Sequence, residues 1–567
     1  MFAHFNLGLV FLFTVLFGRS LGIWPFHVYA AIEVYDETAA NRVAIIGAGA
    51  AGSSTAYYLR KFANESGLDV NITIYERSGH IGGRTITVNA YNDPLQPVEL
   101  GASIFVRVNE ILKNATETFG LKPRESETEV SEFLGIWNGE TFVFTQEDSG
   151  WKWWDTTKIL WKYGLAPIRT MRLVRTTVGQ FLKLYKAPFF PFRSLSDRVE
   201  DLGLISVTSV TGEQLLTAHK VGAPFSTDII QASTRVNYGQ NLGLIHGLET
   251  MVCMAIEGAM QIEGGNWKIF DNMVKASNAT VHLNTKVTGV SKEKGRYSIA
   301  ADVKDEASGE VYSTEEAFDT VVLAAPLQFS DLKLDEAMVS HLPDKVPYVS
   351  LHVTLFASPR TLDPVYFNLA PGERCPNSIL TTLPPSEKPG NSSEGVGKAG
   401  FFSLTTLRTV TNPRTKEQEY LYKIFSPKEI TTEFLSGILG VPSQLPIFIY
   451  LSLSADVRSR KTVPEDLSTI NIDSGDAISW YYPFLWHSYP YEYPRVTFED
   501  IELAPGFYYT SGMESFISTM ETSALMGMNV AQLIVDDYQE LSQPDNIDEP
   551  KQEVILEKKK GKVIEEL

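Results

Sequence analysis

Residues 42–52 read RVAIIGAGAAG, and SSTAYYLRKF (53–62) follows. The β-branched RVAII is a short buried strand by composition. SSTAYYLRKF reads as a helix with Ala56, Leu59 and Ala63 near one face. Gly47, Gly49 and Gly52 therefore lie between a strand and a helix, the context a dinucleotide-binding turn requires. Gly47 permits the tight turn, Gly49 lets backbone N–H groups approach a pyrophosphate, and Gly52 lets helix and strand pack closely. The helix N-terminus then faces the phosphate charge. Working outward, NITIYE (71–76) is a second strand ending in Glu76, 24 residues beyond Gly52. An acid at about 20 residues is expected to bind a ribose, and it disfavours a 2′-phosphate.

After Glu76 come Arg77-Ser-Gly79-His-Ile-Gly82-Gly83-Arg84 and then Val98-Glu99-Leu100-Gly101-Ala102-Ser103. An acid, a short spacer, GGR and then ELGA resemble the flavin amine oxidase and phytoene desaturase group. That resemblance implies that Gly82, Gly83 and Arg84 extend FAD binding beyond the first βαβ unit, with Gly101 and Ala102 beside it. It also implies that the strand-like stretch 280–290 holds adenine through the backbone of Val287. The segment 318–326 (FDTVVLAAP) returns the chain to the cofactor domain. The last cofactor contact falls in 506–524, with Gly512 and Glu514, ahead of the helix LMGMNVAQLIVDDY. Glu521 fits either a flavin contact at that helix N-terminus or a capping acid.

The fold class is thus α/β: a discontinuous Rossmann-like FAD-binding domain (40–115, 255–330, 495–540) plus an α+β substrate domain with a mixed or antiparallel sheet (116–254, 331–494). Residues 1–30 read as a signal peptide, with an apolar run at 5–17 too short to span a bilayer and an A-x-A-like site at Val28-Tyr29-Ala30. Residues 542–567 read as a charged tail. Sequons at Asn64, Asn114, Asn278 and Asn391 favour glycosylation; a further one at Asn71 heads a predicted strand. These features predict the secretory pathway, ending in a lysosome or vacuole or outside the cell.

Arg235-Val-Asn237-Tyr238-Gly239-Gln240 and Ile262-Glu263-Gly264-Gly265-Asn266 narrow the resemblance to the prenylcysteine oxidase (prenylcysteine lyase) family, over about 40–540. The resemblance implies a non-covalent FAD enzyme that uses oxygen to cleave farnesyl- or geranylgeranyl-cysteine into cysteine, a prenyl aldehyde and hydrogen peroxide. The carbon between sulfur and the allylic double bond can lose hydride to the flavin because both neighbours stabilise the cation. The cofactor carries that step, and the protein supplies orientation and an apolar site. Two alternatives stand beside this: a flavin amine or polyamine oxidase, and a non-catalytic flavin-bound lipid-binding glycoprotein. Covalent flavin on a cysteine of the C-terminal block, as in monoamine oxidases, is excluded, since 510–513 reads TSGM.

The run 480–491 carries seven aromatics in twelve residues, and Trp151, Trp153, Trp154 and Trp161 form another group. Either could line a lipid tunnel or be ordinary core; each buried CH₂ of a prenyl chain contributes about 0.8 kcal/mol. Catalytic side chains are not evident. His246 and His487 could position water or a carboxylate, or be satisfied structural histidines; Arg235 is a candidate partner for the substrate carboxylate. No metal site is expected.

The chain has 567 residues and a net charge of −19. That balance argues against nucleic acid. It also sets apart 151–175, where Lys152, Lys158, Lys162, Arg169, Arg172 and Arg175 stand against Asp155 alone. This segment reads as a peripheral membrane contact or a solvated helical face. The only cysteines, Cys253 and Cys375, exclude a disulfide scaffold and a CxxC motif; they are buried thiols or one bridge.

Overall fold

The computed structural model describes residues 41–124, 133–147, 159–305, 307–384, 386–387, 393–441 and 477–542. The signal-peptide and tail readings, Trp151, Trp153, Trp154 and Asn391 lie outside them.

The opening motif nucleates a six-stranded sheet ordered Glu502–Ala504, Phe507–Tyr509, Thr320–Leu323, Asn41–Ile46, Val70–Tyr75 and Thr280–His282. Every pair is parallel except the first. The two inner strands are apolar because helices or a further sheet cover both faces, as buried parallel strands require. The helix Ala50–Ser66 follows the glycine turn and ends on Gly67 in the left-handed conformation. The long helix Met520–Ser542 lies along it. Their approach is close: a Cβ on Gly527 would stand 2.2 Å from the Ala51 carbonyl oxygen, and the Ser54 hydroxyl donates to the Ala524 carbonyl at 2.6 Å.

The stretch 280–290 is not one strand. Asn284 takes φ +52°, so the chain turns after Thr280–His282 and starts a new strand, Thr285–Glu293. That strand joins a four-stranded layer with Arg296–Lys304, Val311–Phe318 and Lys333–Leu334. Val287 sits there, buried, beside a register shift.

A second, seven-stranded sheet runs Trp480–Pro490, Tyr348–Ser358, Gln418–Ser426, Ser403–Thr411, Ser378–Thr381, Phe133–Trp137 and Phe142–Glu147. It is mixed: Ser378–Thr381 pairs parallel with Phe133–Trp137, and the other pairs are antiparallel. The aromatic run 480–491 supplies its edge strand. Trp480, Tyr482, Phe484 and Trp486 stand on one face in a continuous ring-to-ring series, as the two-residue period of a strand dictates. Helices between 166 and 253 complete the fold and pack into the same core as Ala50–Ser66 and Met520–Ser542. Cys253 and Cys375 are unbridged.

Candidate cofactor and substrate site

The glycine motifs face one another. Gly47 has φ +108°, and a Cβ there would meet the Ala324 carbonyl at 2.8 Å. A Cβ on Gly49 would meet only the Gly83 Cα, at 3.8 Å, and one on Gly83 would meet the Gly49 Cα at 3.0 Å. The first and second glycine motifs, some thirty residues apart in sequence, therefore form one backbone cradle. Gly82, at φ +123°, donates its N–H to the Ala48 carbonyl at 2.9 Å and ties them together.

Glu76 is buried at the end of its strand. One carboxylate oxygen accepts from the Ala48 N–H at 2.8 Å, and the other accepts from the Ser78 N–H and hydroxyl at 2.9 and 2.8 Å. A carboxylate has about four acceptor positions, so one remains for a ribose hydroxyl. Arg84 donates to the Ser488 carbonyl at 2.7 Å and pairs with Glu514 at 2.7 Å. Its side chain is 37 % exposed. Glu514 also accepts from the Tyr348 hydroxyl at 3.1 Å. Gly512 lies in the turn Ser511–Ser515, packed on Glu499.

The ELGA and EGGN motifs clamp each other. The Asn266 N–H donates to the Glu99 carboxylate at 2.6 Å, and its amide group donates to the Ala102 carbonyl at 2.8 Å. Lys423 donates to the Glu99 carbonyl and the Ser103 hydroxyl. Ala102 is thereby held at φ +50°, and Gly101 lies under Trp486, whose ring a Cβ would meet at 2.4 Å.

An apolar cleft opens where the segments 104–112, 178–182, 237–256 and 517–522 meet. Ile104, Val108, Phe181, Val252, Ile256 and Met520 contribute walls, with Asn237, Tyr238 and Thr519 as polar members. The 480–491 run contributes none of its lining; that run packs within the second sheet's own core. Trp161 does not line the cleft either and is 90 % exposed.

The candidates Arg235, His246, His487 and Glu521 each make contacts within the protein. Arg235 is 1 % exposed and spends all five N–H donors on protein. Nε and one terminal nitrogen donate to the Thr381 hydroxyl at 3.1 and 3.0 Å; the others donate to Asn241 and to the Gly395 and Val396 carbonyls. Burial lowers its pKa to about 9, so it stays charged at neutral pH, with no donor left for a substrate carboxylate. His246 is fully buried as the N-cap of Gly247–Cys253, its Nδ1 accepting from the Glu249 N–H at 3.1 Å. His487 is exposed and stacks on Phe329. Glu521 caps a different helix from its own: its two oxygens accept the Ile111 and Leu112 N–H groups at 2.8 and 3.0 Å, at the start of Glu110–Thr118. Sequence spacing could not reveal that contact, because it joins positions about 410 apart.

Comparison with known proteins agrees with this architecture. Residues 45–118 match an NAD(P)-binding Rossmann-like domain, and residues 146–549 match the prenylcysteine lyase family. The chain is 28 % identical to a farnesylcysteine lyase from Arabidopsis thaliana over 523 residues, covering 89 % of this chain and 90 % of that protein. It is 26 % identical to prenylcysteine oxidase 1 from Homo sapiens, covering 87 % and 88 %. Its fold is that of cyclohexylamine oxidase from Brevibacterium oxydans, with TM-score 0.51 and 13 % identity over 88 % of this chain and all of that one. The family profile spans well over half of the sequence, and the chain belongs to the prenylcysteine lyase family.

Proposed function

We propose that this protein is an FAD-dependent thioether oxidase that converts an S-prenyl-L-cysteine, water and oxygen into cysteine, a prenyl aldehyde and hydrogen peroxide. Family membership carries the reading, and the apolar cleft supports it. FAD supplies a two-electron acceptor for hydride from the carbon between sulfur and the allylic double bond, with oxygen as final acceptor. Gly47, Gly49, Gly52, Gly82 and Gly83 would leave room for the pyrophosphate, and Glu76 would hold the ribose. Arg84, fixed by Glu514 and Ser488, would offer a cation to the cofactor; Gly101, Ala102, Val287 and Gly512 are the further cofactor contacts of this reading. The walls around Ile104, Phe181 and Val252 exclude water from the prenyl chain and orient its sulfur end, which is where enclosure aids the reaction. Purified holoenzyme given farnesylcysteine in air is expected to yield farnesal and peroxide in equal amounts, and spermine none. Peroxide from spermine alone would indicate an amine oxidase; neither would indicate a lipid-binding flavoprotein.

The cleft's surroundings support a membrane role. From 159 to 186 there are six Lys or Arg and no acid. Leu160, Trp161, Leu165, Ile168 and Met171 are exposed there, the last three beside Arg169, Arg172 and Arg175. The same helix, Ala166–Phe181, gives Val178 and Phe181 to the cleft. Among the described residues no helix is long and apolar enough to cross a membrane, so this reading is of peripheral contact with anionic lipid. Each basic group near such a surface contributes about 1 kcal/mol. Arg172→Glu/Arg175→Glu is therefore expected to cut flotation with phosphatidylserine vesicles by roughly 30-fold or more. Unchanged flotation would exclude this face. Asn64, Asn114 and Asn278 are exposed, compatible with glycans acquired in the secretory pathway and a final location in a lysosome or vacuole or outside the cell.

A further inference from the structure

The NYGQ motif frames a buried acidic cluster that the reaction above does not use. Gln240 donates to the Pro490 carbonyl at 3.1 Å and accepts the Glu492 N–H at 2.9 Å. The Tyr238 hydroxyl donates to the Ser518 carbonyl at 3.1 Å. Between them, His246, Glu249 and Glu492 each have 0 % exposure, and one ligand-type atom from each lies within 4.8 Å of the others. Among the described residues, none of the four carboxylate oxygens closes a hydrogen bond of normal geometry. Two buried carboxylates in that state are costly unless something neutralises them.

The neighbouring groups identify what does. His246 Nδ1 accepts a backbone N–H, so its own proton sits on Nε2, 3.6 Å from Glu492. That tautomer removes the ring as a metal ligand. Backbone groups of Ser515 and Phe516 also lie against the ring, and burial, reinforced by Arg495, drops its pKa to about 3; the ring is neutral. Glu492 faces Arg495, Glu249 and, further off, Glu514. Glu249 faces Tyr238, the Ser518 amide and the buried Cys253 thiol. Two carboxyls against the single guanidinium of Arg495 leave the cluster one positive charge short.

We propose that Glu249 and Glu492 hold one proton between them, and that losing it sets two buried carboxylates against each other beneath the 511–519 loop. This is the loop that leads into the terminal helix, and its role in holding FAD rests on the function proposed above. Burial raises both carboxyls above the usual range, and the charge of Glu249 raises Glu492 further. A carboxyl that is neutral when folded and ionised when unfolded gives the folded state more protons, so stability falls as pH rises from the ordinary carboxyl range toward the raised one. Below about 6.5 the neutral His246 opposes the trend, so the decline is read above it. Glu249 thus acts as a positioning residue: ionised beside Glu492, it strains the packing beneath the loop as pH rises above neutral.

The test uses the full chain stripped of flavin, so it does not depend on the substrate assignment. The wild-type melting temperature is expected to fall as pH rises above neutral, and flavin release from the holoenzyme to quicken over the same range. Glu249→Gln, which mimics the neutral acid, is expected to flatten both profiles. A Gln variant that declines as steeply as wild type would overturn the proposal, as would a stoichiometric bound metal. Should Glu249→Gln not fold, Glu492→Gln and the infrared C=O band of a protonated carboxyl in the wild type decide. Loss of that band as pH rises above neutral supports the shared proton, and its absence at neutral pH overturns it.

Discussion

Gly52→Ala is expected to abolish the folded protein, whereas Gly49→Val is expected to leave the fold intact and empty it of flavin. A Cβ on Gly52 would stand 1.9 Å from the Gly47 carbonyl oxygen and 3.2 Å from the Ala324 Cβ. The first obstacle is backbone in the turn that the fold depends on, so no rotamer change relieves it. A loss above about 4 kcal/mol is expected, in the range of severe core disruptions. Gly49 differs because its added atoms would point at open space next to Gly83. Val there meets little protein and occupies the pyrophosphate's place. Its melting temperature without flavin should stay near wild type, and FAD affinity should fall by about 100-fold or more, near 2.7 kcal/mol. Full flavin occupancy in Gly49→Val would refute the location of the dinucleotide.

Arg235→Ala is the second large effect, expected in stability and not in substrate affinity. Removing the guanidinium leaves the Val396 carbonyl, the Asn241 side-chain oxygen and the Thr381 hydroxyl without their donor, and the Gly395 carbonyl with that of Asn241 alone. It also leaves a hole against the Phe402 ring that the guanidinium covers. Uncompensated buried groups of this kind cost about 3–5 kcal/mol. Arg235→Lys should recover little, because an ammonium cannot reproduce five donors in a planar fork. Thermal melts and Michaelis kinetics separate the roles. A structural hub predicts a lower melting temperature with an ordinary KM in whatever folded enzyme remains. A carboxylate-binding arginine predicts a normal melt and a KM raised by about 100-fold.

The contrast between Gly52 and Arg235 explains what the sequence could disclose. The glycine turn is local in its strand and helix, which run from 41 to 66, and the glycines are visible in the residue type even though Gly47 and Gly49 approach Ala324 and Gly83. The hub around Arg235 is not local, since its acceptors come from 241, 381, 395 and 396. Glu521 was ambiguous for the same reason: capping Ile111 needs the terminal helix already docked. The 280–290 stretch alternates like a single strand, and only the left-handed turn at Asn284 divides it between two sheets. The aromatic run 480–491 suggested a lipid wall by composition, yet strand alternation sends its rings into the second sheet's core. The cleft instead takes its walls from four separated segments around 104–112, 178–182, 237–256 and 517–522, a grouping no local pattern announces. The family resemblance carried by GGR, ELGA, NYGQ and EGGN reached further. The structure gives two of those motifs a concrete task, Asn266 clamping Ala102 and Gln240 holding Glu492.

The most direct measurement is a single-turnover one. Holoenzyme is mixed with farnesylcysteine without oxygen, and the oxidised flavin absorbance is followed. Hydride transfer from the prenyl carbon predicts bleaching that reaches completion at one equivalent, with farnesal released and recovery of the band when air is admitted. A flavin that stays oxidised with farnesylcysteine, or that bleaches with spermine instead, would contradict the account.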